Sequence, residues 1–389
     1  MTVSCRVTVS IGALSAITVV DFSRVLAGPY ATMLLADLGA DVVKIERPGS
    51  GDDTRGWGPP FVGDQTTYFA AVNRNKRSVA LDLGSAEGLA AAREIIRAAD
   101  VVVENFRPGV MERLGLGYDA VASLNPGAVY CSISGFGAGA GAGLPGYDLL
   151  VQAVGGLMSI TGEADGEPAK VGVAVVDVIT GLHASIGILA ALRHRDRTGE
   201  GQHVEVSLLS SLLSALVNQA SGYVAAGVVP QRMGNQHPSV APYEEFRVAD
   251  GSMVLAVGND RQFAALCEVL AAPALAADPR FSSNPSRVTN RAALHDVLSR
   301  VLLTRTGREW FDLLTAAAVP CGPIQDVAAA FALAEELGLQ PVVAIRAADG
   351  TISPQVANPI GLSRTPPSYR LAPPRLGEHT PQPGVETHG

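Results

Sequence analysis

Cysteine is scarce in this chain. Cys5, Cys131, Cys267 and Cys321 are the four among 389 residues, each more than fifty positions from the next. No CxxC pair or Cys/His spacing exists, which excludes a zinc site and a disulfide framework; no metal is expected. That cysteine usage fits a reducing compartment, and the expected location is cytoplasmic. Charge is sparse as well, with 29 Lys and Arg against 37 Asp and Glu and a net charge of −8. Nucleic acid is therefore excluded as a partner, because phosphate contacts need a basic surface. Three catalytic signatures are also missing. The turn Asp21–Pro29 holds one glycine where a dinucleotide fingerprint needs GxGxxG, although Glu46 stands where a ribose-binding acid would sit. The glycine-rich stretch Gly135–Gly146 lacks the GK[ST] of a phosphate-binding loop, and no GxSxG elbow occurs anywhere.

Two apolar stretches invite a membrane reading, and both fail it. Val7–Val20 follows Arg6 but flows into Ile17-Thr18-Val19-Val20-Asp21, a buried strand, with no cleavage site. Val206–Gln231 has no charge, yet serines, Asn218 and Gln219 interrupt it, and Leu208, Leu209, Leu212, Leu213 and Leu216 share one helical face. A core helix is expected there, and no membrane partner.

What is present is ample core material, 47% apolar residues, and the length of 389 residues suggests two or three domains. Thr18–Val20, a helix over Tyr30–Leu38 opened near Pro29, and Val42–Ile45 read as a βαβ unit. Ser78–Leu83, Glu87–Ala98 and Val101–Val103 read as a second, and Ala128–Ile133 as a further strand. Val171–Val176 reads as another buried strand, running into a helix over Gly181–His194. The fold class is α/β, a doubly wound parallel sheet. Beyond Gly227 the texture changes to a β-hairpin (Phe246–Val248 and Met253–Val257) and helices over Arg261–Leu270, Arg291–Leu303 and Glu309–Ala318. These read as a smaller α+β domain. Ser353–Gly389 is proline-rich and reads as an extended tail wrapping the body.

Asp177 draws attention because carboxyl ends of parallel strands are where such sheets place ligands. The same position suits a helix N-cap. Either way a helix N-terminus favours the carboxylate, the form that acts as a nucleophile. Gly135–Gly146 is open to two readings, a mobile surface loop or a lid over a site. The seven histidines are scattered singly, without a Cys/His or Ser/His arrangement.

Asp21–Pro29, Gly39–Pro48, Asn73–Ser78, Val103–Gly109, Arg197–Gln202 and Leu376–Thr380 occur in order across nearly the whole chain. Together they resemble the family III CoA-transferases (the CaiB/BaiF family, which includes formyl-CoA transferase and α-methylacyl-CoA racemase). The resemblance implies a Rossmann-like large domain built from both chain ends and a small domain from the middle. It also implies an interlocked, ring-like homodimer. On this chain the boundaries fall at 10–205 for the large domain, 206–228 for a linker helix, 229–328 for the small α+β domain and 329–389 for the returning segment.

The resemblance further implies that Asp177 is the catalytic nucleophile, forming aspartyl anhydride and aspartyl-CoA thioester intermediates. Val25 and Ala27 match residues along the pantetheine path, Arg47 and Arg113 match cations near the nucleotide, and Asn105 and Phe106 match the pocket segment. CoA and acyl-CoA enter as substrates beside a small carboxylic acid, with no tightly bound cofactor. Lys76 and Arg77 belong to a signature segment. Leu26 and Arg24 stand where formyl-CoA transferases carry glutamine and histidine, and their four-glycine loop is missing, which argues against oxalate and formyl-CoA. Arg24 suits the far carboxylate of a dicarboxylate, or faces CoA or solvent. His237 falls where the small domain would approach the site. Tyr147 replaces the racemase branch's histidine, and a phenol with a free pKa near 10 shuttles protons poorly at neutral pH. Transfer is therefore expected, with succinyl-CoA as a donor, over 2-methylacyl-CoA racemisation or non-catalytic acyl-CoA binding.

Overall fold

The computed structural model describes residues 12–381. Within them the chain separates into two units. The first holds the described residues up to Gly155, Val171–Gly227 and 340–381. The second holds Gly156–Lys170 and Val228–Leu339.

The first unit is organised by a sheet of six parallel strands: β1 (Thr18–Asp21), β2 (Asp41–Glu46), β3 (Lys76–Ala80), β4 (Val101–Glu104), β5 (Val129–Ser134) and β6 (His203–Ser207). Their spatial order is 3-2-1-4-5-6. The order reverses between β1 and β4, so a crevice opens beyond the carboxyl ends of those two strands. The strands are short β-branched runs because both faces are covered. Val19, Val20, Val42, Val101, Val102 and Val103 are all fully buried. The part of the Val7–Val20 run before residue 12 lies outside the described residues.

Helices Ala27–Asp37, Ala86–Arg97 and Val175–Thr198 make three of the crossovers. The last has 24 residues and is apolar enough by length and composition to cross a membrane. Its Val176, Thr180, Ala184, Ile188 and Ala191 are nevertheless buried, and it packs on helix Ala27–Asp37 and on β6.

Two sequence expectations change here. Val171–Val176 is not a strand; the helix already begins at Val175. Val206–Gln231 is not one core helix. It opens as the end of β6, then forms two helices, Leu208–Ala215 and Val217–Ala226, broken at Val217, whose φ is +40°. The second of these helices buries no residue at all, and Tyr223 and Val224 are exposed.

The C-terminal stretch is more structured than its prolines suggest, beginning with the hairpin Val342–Arg346 and Ile352–Val356. It then runs beside the first βαβ unit. Asn75 donates its backbone N–H to the Leu371 carbonyl, Arg370 donates to the Ala36 and Ala40 carbonyls, and His379 donates to the Ser78 carbonyl.

The second unit is built on an antiparallel sheet ordered Cys321–Pro323, Gly251–Ala256 and Tyr243–Val248. Helices Asp260–Val269, Arg291–Leu302 and Gly307–Ala316 bury Phe263, Leu266, Leu298, Trp310 and Leu314 against Phe246, Met253 and Leu255. Arg287 lies fully inside, satisfied by the Ala241 and Phe281 carbonyls and by Asp260.

Candidate active site

Two clefts meet at the point where the strand order reverses. One, of about 190 Å³, is lined by Arg24, Val25, Leu26 and Ala27 after β1, by Asn105 and Phe106 after β4, and by Tyr147 and Asp177. The other, of about 330 Å³, lies beyond β2 and β3 and is lined by Arg47, Lys44, Asp52 and Leu81. Arg24 and Phe106 belong to both. The guanidinium of Arg24 sits 5.2 Å from the Phe106 ring centroid and pairs with Asp53 at 3.0 Å, while its Nε is buried without a partner.

Asp177 occupies the first turn of helix Val175–Thr198, and the reason is a second carboxylate. The Oδ1 of Asp148 accepts the backbone N–H of Val176 at 2.8 Å and of Asp177 at 3.1 Å. Its Oδ2 accepts from Gln152 at 2.6 Å. Asp148 thus caps the helix from outside. This cap starts the helix at Val175 and overrides the β-branched run that otherwise reads as a strand. It also frees Asp177 from capping, and the Asp177 carboxylate makes no hydrogen bond to any described residue.

The N-terminal helix position does not leave Asp177 easily ionised. Burial, with the nearby charge of Asp148 adding to it, pushes the Asp177 carboxyl up to about 7. The helix-end N–H groups that would favour the anion are already taken by Asp148, so desolvation wins. A nucleophilic Asp177 must be ionised. The expected pH profile of kcat/KM therefore falls below about pH 7, tenfold per unit. Asp148→Asn, which keeps an oxygen for the cap and removes the like charge, is expected to move that limb to lower pH. An unmoved limb would show that Asp148 does not set it.

Gly181 fixes where this helix lies. A Cβ there would stand 2.7 Å from the Ala27 carbonyl oxygen and 3.1 Å from the Tyr30 ring, so only glycine lets the two helices touch at the cleft. The helix beginning at Ala27 has no side-chain cap, and its first N–H groups lack intrahelical acceptors. A second close approach shapes the glycine-rich loop, where a Cβ on Gly135 would sit 2.5 Å from the Gly146 Cα. The loop is pinched at its neck by these two residues.

Val25 has a φ of +70°. For a β-branched residue that conformation costs about 1–3 kcal/mol. Asn105 holds the preceding residue by both peptide groups, accepting from Arg24 N–H at 2.8 Å and donating to the Arg24 carbonyl at 2.7 Å. The Oδ1 of Asp52 accepts from Val25 N–H at 3.2 Å. Three hydrogen bonds at roughly 1 kcal/mol each are of the size needed to hold the turn.

The structure thus brings together eight of the residues singled out from the sequence: Arg24, Val25, Leu26, Ala27, Asn105, Phe106, Tyr147 and Asp177. Arg47 lines the adjoining cleft, and Arg113 is exposed beside Val110 and Leu114, which line it. His237 belongs to the second unit, where its Nδ1 accepts from Ser239 N–H and its ring packs on Tyr243. Sequence reasoning missed Asp148, Asp52 and Lys44. The adjacency of Asp148 to Tyr147 was the available signal, and nothing local marks the other two.

Comparison with known proteins places this geometry. The family model described as CoA-transferase family III matches residues 14–380. A succinate–glutarate CoA-transferase from Agrobacterium fabrum is 46% identical over 95% of this chain and 94% of its own length. An acetyl-CoA:oxalate CoA-transferase from Acetobacter aceti is 42% identical, covering 94% of each chain. The crystal structure of a CaiB/BaiF family protein from Brucella suis superposes with a TM-score of 0.83 at 42% identity, over 95% of this chain and 97% of that one.

Proposed function

We propose that this chain, which belongs to CoA-transferase family III and is an acyl-CoA:carboxylate CoA-transferase, works through covalent intermediates on Asp177. The observation that carries the mechanism is the unbonded Asp177 carboxylate in the reversal-point cleft, with its capping duty taken by Asp148.

The carboxylate attacks the thioester carbonyl and expels CoA thiolate, leaving a mixed anhydride. The thiolate then attacks the aspartyl carbonyl, which releases the donor acid and leaves a β-aspartyl-CoA thioester. An acceptor carboxylate repeats both steps in reverse and regenerates Asp177. No water is consumed, so the thioester free energy is retained. The uncapped N–H groups at the start of helix Ala27–Asp37 are donors for the tetrahedral oxyanions. Arg47 and Arg113 serve the nucleotide end of CoA, and Val25, Ala27, Asn105 and Phe106 its pantetheine arm.

Succinyl-CoA is the donor and a small dicarboxylate the acceptor. The succinate and glutarate named in a relative support this, as does Arg24, which lines the Asp177 cleft. Its Asp53 pairing is about half-exposed and therefore weak, so an incoming carboxylate competes for it at little cost. Tyr147 and Leu26 shape the acyl pocket, with His237 a further pocket residue. The enzyme is a cytoplasmic homodimer; the exposed apolar side chains of Leu182, Ile186, Val217 and Val224 supply surface for a second copy.

The test is a panel of acids offered with succinyl-CoA: glutarate, oxalate and their monocarboxylate counterparts, read as new acyl-CoA products. The glutarate product is expected, and the oxalate product is not, since Leu26 and Arg24 stand where formyl-CoA transferases carry glutamine and histidine. Arg24→Met should lower kcat/KM for the dicarboxylate by about 30-fold, the loss of one charge-assisted contact, and leave a monocarboxylate of equal length nearly unchanged. Equal losses on both would assign Arg24 to CoA instead. Deuterium uptake at C2 of an acyl-CoA in heavy water, without any transfer product, would overturn the transferase reading for racemisation.

A further inference from the structure

Val25 is one of two β-branched residues with positive φ among the described residues, and the other, Val217, lies at an exposed helix junction. Val25 stands directly before the helix start that faces Asp177. A glycine would take this conformation freely but would also take others. A valine takes it only under constraint, and then holds a single geometry.

The constraint comes from two sides. Asn105 follows β4 and continues the β1–β4 ladder with its side chain. Phe22 N–H donates to the Val103 carbonyl at 2.8 Å, and two residues later the Asn105 amide takes over, engaging both the N–H and the C=O of Arg24. On the other side, Asp52 Oδ1 accepts from Val25 N–H and is itself fixed by Thr54 N–H at 3.0 Å and Thr54 Oγ1 at 2.8 Å. Its Oδ2 lies 2.9 Å from Lys44 Nζ, with both side chains fully buried, and Lys44 donates to the Ser23 carbonyl at 2.8 Å. The Asp52–Lys44–Ser23 connection closes a ring of contacts around residues 23–25.

We propose that Asp52 and Asn105 are positioning residues. As the two jaws of a clamp, they lock the Arg24–Val25 turn in its left-handed form and so aim the Leu26–Ala27 segment at the Asp177 carboxylate. Neither acts on the reacting atoms through this contact; each acts through the backbone of the turn. The inference rests on the assignment of Asp177 as nucleophile and adds how its counterpart wall is held. Lys44 holds the carboxylate of Asp52 in place.

The test is a double-mutant cycle. Asp52→Leu and Asn105→Ala are each made in the wild-type and in a Val25→Gly background, and kcat and the KM for succinyl-CoA are measured separately. In the wild-type background each jaw substitution is expected to lower kcat about 100-fold, the scale of an ångström-sized misplacement. In the Val25→Gly background, where the turn forms without constraint, the same substitution should cost less than about tenfold. A merely structural role for Asp52 or Asn105 would give the same loss in both backgrounds, and that result overturns the proposal. Asp52→Leu strands the Lys44 charge; if that variant does not fold, Asn105→Ala, which strands none, decides the question alone. Asp177→Asn run in the same assay keeps the two readings apart. Full activity there would sink the nucleophile, whereas the clamp is judged by the dependence on Val25.

Discussion

Asp177→Asn is expected to lower kcat by at least about 10⁴-fold, the scale set by removing a nucleophile from a covalent mechanism. The substitution is nearly isosteric, and the Asp177 N–H that Asp148 accepts is unaffected, so the loss belongs to the chemistry. The same variant should be more stable than the wild type in alkaline solution, and the sign follows from the pKa. Folding raises the Asp177 carboxyl from its ordinary 3.8 to about 7. The folded state therefore binds more protons than the unfolded chain between those values, and the stability contributed by this group is lost as pH rises through 7. Asparagine does not titrate. The gap between variant and wild type should be small at pH 4, open through pH 7 and plateau above it, at a few kcal/mol at most, on the order of 1.4 per pKa unit. Chemical denaturation at pH 5 and pH 8 checks this. A variant less stable than wild type at pH 8 would show that Asp177 is not held against its own charge.

The second large effect concerns folding and separates two arginines three residues apart. Arg74 is 3% exposed and grips the fully buried Asp37 through Nε and Nη2, at 2.7 Å for the shorter bond. Asp37 also accepts from Asn75 and, from the C-terminal segment, Asn358. Asn75 in turn donates to the Ser368 carbonyl and accepts from the backbone N–H groups of Arg370 and Leu371. Removing the guanidinium leaves an uncompensated buried charge at the point where the returning chain is fastened. Arg74→Met is expected to destabilise by about 3–5 kcal/mol and to expose residues 358–371 to proteolysis. Arg77 makes the same kind of fork to Asp41, but that pair is 38% and 51% exposed. Arg77→Met should cost less than about 1 kcal/mol. Equal effects in the two variants would contradict the burial argument. The Asn73–Ser78 signature forms a structural hub: Lys76 is likewise buried, donating to Asp21, the Pro29 carbonyl and Asn73.

What the sequence reveals and what it hides follow from the range of the interactions involved. β1, β2 and β4 are legible because a strand buried on both faces is written as a continuous apolar run. Asp177 is legible as a suspect and becomes specific through the order of the matched segments. The run Val171–Val176 misleads because the helix start is dictated by Asp148, 28 positions upstream. β6 is hidden because its residues merge with the apolar stretch that follows. The clamp on Val25 is invisible for the same reason: Asn105 lies 81 positions from Arg24, and Asp52 lies 27 from Val25. A β-branched residue in a left-handed turn contradicts local propensity, and such contradictions concentrate at functional sites.

If CoA is carried on Asp177, the intact mass of the protein registers it. The enzyme is mixed briefly with succinyl-CoA, without acceptor, and quenched in acid. The predicted result is a gain of one CoA less one water on the wild type, absent from Asp177→Asn and discharged by an added dicarboxylate as its CoA thioester appears. An enzyme that transfers CoA at full rate without ever carrying the adduct, or an adduct that persists in Asp177→Asn, would contradict it.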